Sequence, residues 1–205
     1  MENFLRENLD ILKEIGSIGM GHASTSLSHM LNMKVTMTTP AVYIMTTAEA
    51  REYLGRHGQE SLGVRLGLQG DAKGKILQIH SKKFALHVIN YFFQGGLEEI
   101  SELDEMSFSV LQEIGNITSG SYCNSLASMT GMFVDISIPT HCKNLCDDIG
   151  LTGENPAYSP DETIMFIKNN FYIGNEEVTS DFLFIPDETT IKMLLQKLKE
   201  YYRLA

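Results

Sequence analysis

Long apolar runs are missing from this chain of 205 residues. No stretch approaches the roughly 18 apolar residues that a membrane-spanning helix needs. The first ten residues, MENFLRENLD, hold no apolar signal core, so a soluble, cytoplasmic protein is expected. Positive charge is scarce as well: 16 Lys plus Arg stand against 26 Asp plus Glu, for a net charge of −10. That balance excludes the basic face that nucleic-acid phosphates require, and it disfavours an anionic membrane surface. Cysteine is limited to Cys123, Cys142 and Cys146, an odd number that makes a poor disulfide framework. His141, Cys142, Cys146 and Asp147 lie near one another in sequence, but no second Cys or His pair completes a ligand set. No metal is expected in this chain.

What the chain does have is a patterned stretch from Ser109 to Pro139, SVLQEIGNITSGSYCNSLASMTGMFVDISIP. Leu111, Ile114, Thr118, Tyr122, Leu126 and Met129 recur at threes and fours, which makes one largely apolar helical stripe. Ser109, Glu113, Asn116 and Gly120 recur in the same way on another face. A carboxylate and a carboxamide three residues apart stand about one turn apart on that face. Gly120 adds no side chain there, so a second molecule can approach closely. Gly131 suits the helix end, and Val134, Ile136 and Ile138 then alternate as a strand that Pro139 closes.

The pattern occurs twice. Asp10, Glu14, Ser17 and Pro40 stand 99 residues before Ser109, Glu113, Asn116 and Pro139, and EIGSIGMGHASTSL echoes EIGNITSGSYCNSL. Residues 1–205 therefore read as a single domain made of two homologous halves, about 1–100 and 101–205.

Within the first half, a helix is predicted over about 6–31, with Asn32 as its C-terminal cap. Short strands at Lys34–Met37 and Ala41–Met45 follow, then a helix from about Thr47 that Gly55 stops. Leu62–Gln69 and Lys73–His80 form a hairpin around GDAKG, and Ser81 caps a helix that reaches Phe93. After the acidic linker Glu98–Asp104 the order repeats. Residues 141–160 read as mostly loop, Thr163–Phe171 and Val178–Ile185 as a hairpin, and the last helix follows cap Asp187. Strands joined by tight turns pair antiparallel. The expected fold is α+β, with pseudo-two-fold halves: a mostly antiparallel sheet of about six strands with the two long helices packed on it.

The spacing Asp-or-Ser, three residues, Glu, two residues, Asn, twenty-two residues, Pro resembles the signature of the CheC/CheX/FliY family of chemotaxis phosphatases, and most of all its CheC branch. Ser109, Glu113, Asn116 and Pro139 fit it completely; Asp10, Glu14 and Pro40 fit it, with Ser17 where the family has Asn. The resemblance implies hydrolysis of the aspartyl phosphate on the response regulator CheY, whose own site holds the phosphate and its Mg²⁺. It further implies that Glu113 docks the regulator and that Asn116 orients the attacking water. A carboxamide suits that task because it donates and accepts without changing protonation.

Other readings of these residues remain open at this stage. Asn116 also fits a buried polar residue bonded to a neighbouring helix, and Glu113 a solvated charge. Ser109 has no nearby His or Asp to activate it, which excludes a nucleophilic serine. Ser17 carries a short hydroxyl that bonds back to its own helix, so the site of Glu14 and Ser17 is expected to be degenerate. The alternative function is a non-catalytic module that binds CheY or the deamidase CheD, or resembles the flagellar switch protein FliM. Intact Glu113 and Asn116 favour the phosphatase, and the Gly- and Pro-broken stretch 141–160 argues against the amphipathic helix that CheD binding implies.

Overall fold

A computed structural model describes residues 8–57, 61–142, 145, 163–168 and 170–204. The first long helix, α1 (Leu9–Leu31), ends at Asn32, whose left-handed φ of 45° releases the chain into β1 (Val35–Met37). Then come β2 (Ala41–Thr46), α2 (Thr47–His57), β3 (Ser61–Gly70), β4 (Gly74–Ser81) and α3 (Lys82–Phe93). Helix α2 runs through Gly55 to His57, past the stop expected there. A single turn at Ile100–Glu102 leads to the second long helix, α4 (Glu105–Thr130). The second half continues with β5 (Val134–Ile136), β6 (Thr140–Cys142), β7 (Thr163–Lys168), β8 (Asn170–Ile173), β9 (Glu176–Pro186) and α5 (Glu188–Leu204). Cys146 and Asp147, and nearly all of the 141–160 stretch weighed for CheD, lie outside the described residues.

The α+β class holds, with every ladder antiparallel, but the sheet has nine strands where about six were expected. The difference has a local cause. The ladders lie in six lanes, and three of those lanes are each divided into two strands. In order they are β1 with β2, β8 with β7, then β9, β4, β3, and finally β5 with β6.

Two of the divisions are bulges of the same form. Met37 faces Phe171 and Ala41 faces Lys168, so residues 38–40 oppose only 169 and 170. Ile136 faces Leu68 and Thr140 faces Arg65, so residues 137–139 oppose only Leu66 and Gly67. A matching bond closes each bulge: Thr38 N–H donates to the Asn170 carbonyl at 3.0 Å, and Ser137 N–H to the Gly67 carbonyl at 2.9 Å. One extra residue in a lane bends it and turns a side chain outward. The prolines of both motif copies sit in these bulges.

Helices α1, α3, α4 and α5 cover one face of the sheet, and their apolar residues join those of β3, β4 and β9 in the main core. Helix α2 covers part of the other face through Ala50 and Leu54. The long helices touch each other along their length. Ser26 and Ser121 hydroxyls meet at 2.8 Å, and His22 Nδ1 meets the Ser125 hydroxyl at 2.9 Å. Residues 26 and 125, and 22 and 121, are each 99 apart, so the two bonds are equivalents of one another. Between them the Tyr122 ring lies against Gly19, where an added Cβ would come within 2.3 Å of it. Cys123 is buried in the main core, and burial pushes its thiol up to about 12, so it acts as a small apolar residue.

His80 is a buried polar residue that escaped the sequence reading. His80 is fully buried, stacked on Phe84 at 4.7 Å, with Nδ1 bonded to the Ser180 hydroxyl at 2.9 Å and Nε2 unpartnered. Burial lowers its pKa from 6.5 to about 3. The unfolded chain therefore takes up this proton first, and stability is lost as pH falls below about 6.5. The loss approaches about 1.4 kcal/mol per pH unit. Urea midpoints between pH 7 and 5 are expected to fall along this slope, and His80→Gln to flatten it by most of that amount.

Candidate functional site

Helix α4 is fixed at its start by Asp104, whose Oδ1 accepts from the Ser107 amide at 2.8 Å and its hydroxyl at 2.7 Å. It ends at Gly131 with φ 67°. In between, one turn of α4 is tied to the middle of the sheet by Gln78 of β4. The Nε2 of Gln78, a residue 2% exposed, lies 3.0 Å from the Gly115 carbonyl and 2.7 Å from each of the Thr118 and Ser119 hydroxyls, so its two hydrogens are shared among three acceptors. A buried donor held by three acceptors resists being pulled away, because breaking the set strands polar groups in the core. On the same turn Gly115 lets the helix backbone settle onto β3: a Cβ there would stand 2.6 Å from Val64 Cγ1.

Asn116 follows Gly115 directly. It is half-buried, and Glu113, one turn earlier, is exposed. Both line an open groove of about 410 Å³ whose opposite wall is the bulge Ser137–Ile138–Pro139. Ser109, Gln112 and Ile136 line it as well. Among the described residues no hydrogen bond or ion pair engages the Glu113 carboxylate or the Asn116 carboxamide. Ser109 donates its hydroxyl to the Glu105 carbonyl at 2.9 Å, a helix-internal bond that fits no nucleophile. Beyond Asn116 the groove is open at Gly120, where an added Cβ would meet only Ile136 Cδ1, at 3.8 Å. The structure thus brings Ser109, Glu113, Asn116 and Pro139 together in one groove.

The other copy is laid out alike and differs in detail. Asp10 and Glu14 are exposed and Ser17 is half-buried, while Pro40 is buried where Pro139 is half-exposed. Asp10 pairs with Lys13 at 3.5 Å. The end of α5 lies close by: burial raises the Tyr202 phenol above its ordinary pKa, and the Glu14 carboxylate adds to that. Gly21 is open, with nothing within 4 Å of an added Cβ.

Gln78 and Gly115 are the residues the sequence reading missed. The first had no local sign, since its strand also carries Lys75, His80 and Ser81. The second was visible in the repeat itself: Gly16 and Gly115 hold the same place after Glu-Ile, and an added Cβ at Gly16 would approach Val42 Cγ2 to 3.1 Å.

Comparison with known proteins agrees with this geometry. The CheC-like family is matched at residues 7–44 and 106–142, which carry the long helices and the strands after them. The CheY-P phosphatase CheC of Bacillus subtilis is 33% identical over 138 residues, 65% of this chain. The chain spans less than two thirds of the length of the first curated relatives it matches, 65% in the case of CheC. FliY of Thermotoga maritima shares the fold, with TM-score 0.75 and 22% identity over 95% of this chain and 97% of that one. A chain in the CheX–CheY–BeF3–Mg²⁺ complex of Borrelia burgdorferi does so with TM-score 0.53 and 20% identity, over 82% of this chain and 94% of that one.

The close approach at Gly115 predicts a contrast between two glycines. Gly115→Ala is expected to lower stability by about 1–3 kcal/mol, because Val64 must move. Gly21→Ala, in open space on a helix, is expected to raise it by up to about 1 kcal/mol. Urea denaturation of the two variants beside the parent checks both signs.

Proposed function

With the CheC-like family matched at both long helices, we propose that this chain hydrolyses the aspartyl phosphate of a CheY-type response regulator, docking it through Glu113 and orienting the attacking water through Asn116. The observation that carries this reading is a free carboxamide beside a free carboxylate, on a turn of α4 that Gln78 and Gly115 hold to the sheet. An amide fixed in this way loses little freedom when it enters a partner's site, and in-line phosphoryl transfer gains mainly from positioning. The amide oxygen accepts from the water and the amide nitrogen donates to a phosphoryl oxygen. Attack then breaks the bond between phosphorus and the aspartyl oxygen, leaving a carboxylate and inorganic phosphate. Glu113 neither gains nor loses a proton in this scheme; it meets a Lys or Arg of the partner.

The Mg²⁺ of the reaction is assigned to the regulator, in keeping with the Borrelia burgdorferi complex, in which CheX and CheY occur together with BeF3 and Mg²⁺. The groove offers one carboxylate and one carboxamide, a donor set suited to docking beside a metal that the partner holds. Residues 1–205 are read as one cytoplasmic domain of two halves, with the site of Glu14 and Ser17 degenerate. A hydroxyl on Cβ falls short of where an amide on Cγ holds water. The switch-like binding module gives Asn116 no task, and the phosphatase does.

Asn116→Ala is expected to keep the fold and to slow dephosphorylation of the regulator on the order of 10²-fold. Normal turnover by a folded variant would refute the assignment. Glu113→Gln is expected to weaken binding more than turnover at saturation, and to reduce the dependence of binding on salt, since a screened ion pair is gone. Titration of the regulator at two ionic strengths measures both.

A further inference from the structure

Ile138 is 87% exposed, more than any other large apolar side chain among the described residues. Its exposure is built in. Ser137 anchors the bulge from both sides, its N–H donating to the Gly67 carbonyl at 2.9 Å while its hydroxyl accepts from the Gly67 amide at 2.8 Å. The same hydroxyl lies 3.2 Å from the Ile138 carbonyl, to which it donates. Pro139 follows and restricts the backbone of Ile138 to extended conformations. The isoleucine is therefore held out from the sheet, on the lip of the groove that Glu113 and Asn116 line.

A free sheet edge is a poor place for a bare isoleucine. Strands at edges invite pairing with other chains, and proteins guard them with charge, proline or bulges. Among the described residues the lane of β5 and β6 is such an edge, and it has the bulge and the proline, yet the tip of the bulge is an exposed apolar residue. In the other half the equivalent bulge residue, 99 positions earlier, is Thr39, also exposed. The half with Ser17 in place of the amide has a polar tip, and the half with Asn116 has an apolar one. Packing within the chain does not explain that pairing, because neither tip is buried. An occupant of the Asn116 groove does.

We propose that Ile138 is a docking and selectivity residue, which enters an apolar depression on the response regulator beside the phosphorylated aspartate while Asn116 enters the phosphate site. This rests on the phosphatase reading and adds to it a contact that sets affinity without touching the reacting atoms. Apolar anchors at an interface centre carry much of the binding energy, while truncation of an exposed residue leaves the free protein intact.

The test compares the parent, Ile138→Ser, Ile138→Leu and Asn116→Ala. Two readouts are taken: binding of a receiver domain activated with trifluoroberyllate and Mg²⁺, and turnover of the phosphorylated receiver. Ile138→Ser is expected to raise Kd and KM about tenfold or more with kcat at saturation kept. Ile138→Leu is expected to restore most of the affinity, and Asn116→Ala to lower kcat. Unchanged Kd and KM in a folded Ile138→Ser that turns over normally would overturn this proposal and leave the phosphatase reading standing. A parent that neither binds nor dephosphorylates the receiver would overturn both. Concentration-dependent self-association that Ile138→Ser abolishes, with receiver affinity unchanged, would assign the isoleucine to a second copy of this chain and overturn it as well.

Discussion

The site depends on one side chain that never reaches the surface. Gln78, in the central strand β4, holds α4 by the Gly115 carbonyl and the Thr118 and Ser119 hydroxyls. A helix packed by apolar contacts alone can slide or roll by fractions of an ångström at small cost, because such contacts are non-directional. The two directed N–H donors of Gln78, shared among these acceptors at the turn of Asn116, remove that freedom. Gly115 does the complementary work by setting the height of the helix over Val64. Rigidity here is therefore local, and it is placed where a positioning residue needs it.

The strand side of the groove is shaped by the opposite device. The lane is interrupted so that three residues oppose two, and the interruption is fixed by bonds to Gly67. An unbroken β5–β6 lane would alternate its side chains between core and solvent and present no wall to α4. The groove thus lies between a helix held down and a strand pushed out. The same interruption recurs at Thr38–Pro40, where the residues carried on it differ.

How much of this was legible in the sequence follows from which interactions are local. The caps were readable because each is settled within four residues. Asp104 accepts from Ser107, Ser81 from Phe84, and Asp187 from Thr190, as their residue types required. The alternating strands and the two long helices were readable from period. Gln78 was not, since its partners lie 37 to 41 residues away and nothing local distinguishes a buried glutamine from an exposed one. The divided lanes were hidden for a related reason. A bulge is a difference of one residue between two strands, and Thr163–Phe171 shows no sign of dividing until its partners on the neighbouring lane do. His80 was hidden in the same way, since its partner Ser180 lies 100 residues away.

The spacing of the motif becomes intelligible once the fold is known. Twenty-two residues separate Asn116 from Pro139, enough for α4 to finish, turn at Gly131 and send β5 back along its own flank to the turn of Asn116. Shortening the helix by one residue would rotate Asn116 by about 100° against the returning strand. Lengthening the strand by one would exchange the face of every residue after it. The fixed distance between amide and proline is therefore a closure condition, in which helix length and strand register must agree for both walls to meet. The first half satisfies it as well, from Ser17 to Pro40, although it has lost the amide. Geometry of this kind is held by the whole core, so it persists after a single surface residue at its centre has changed.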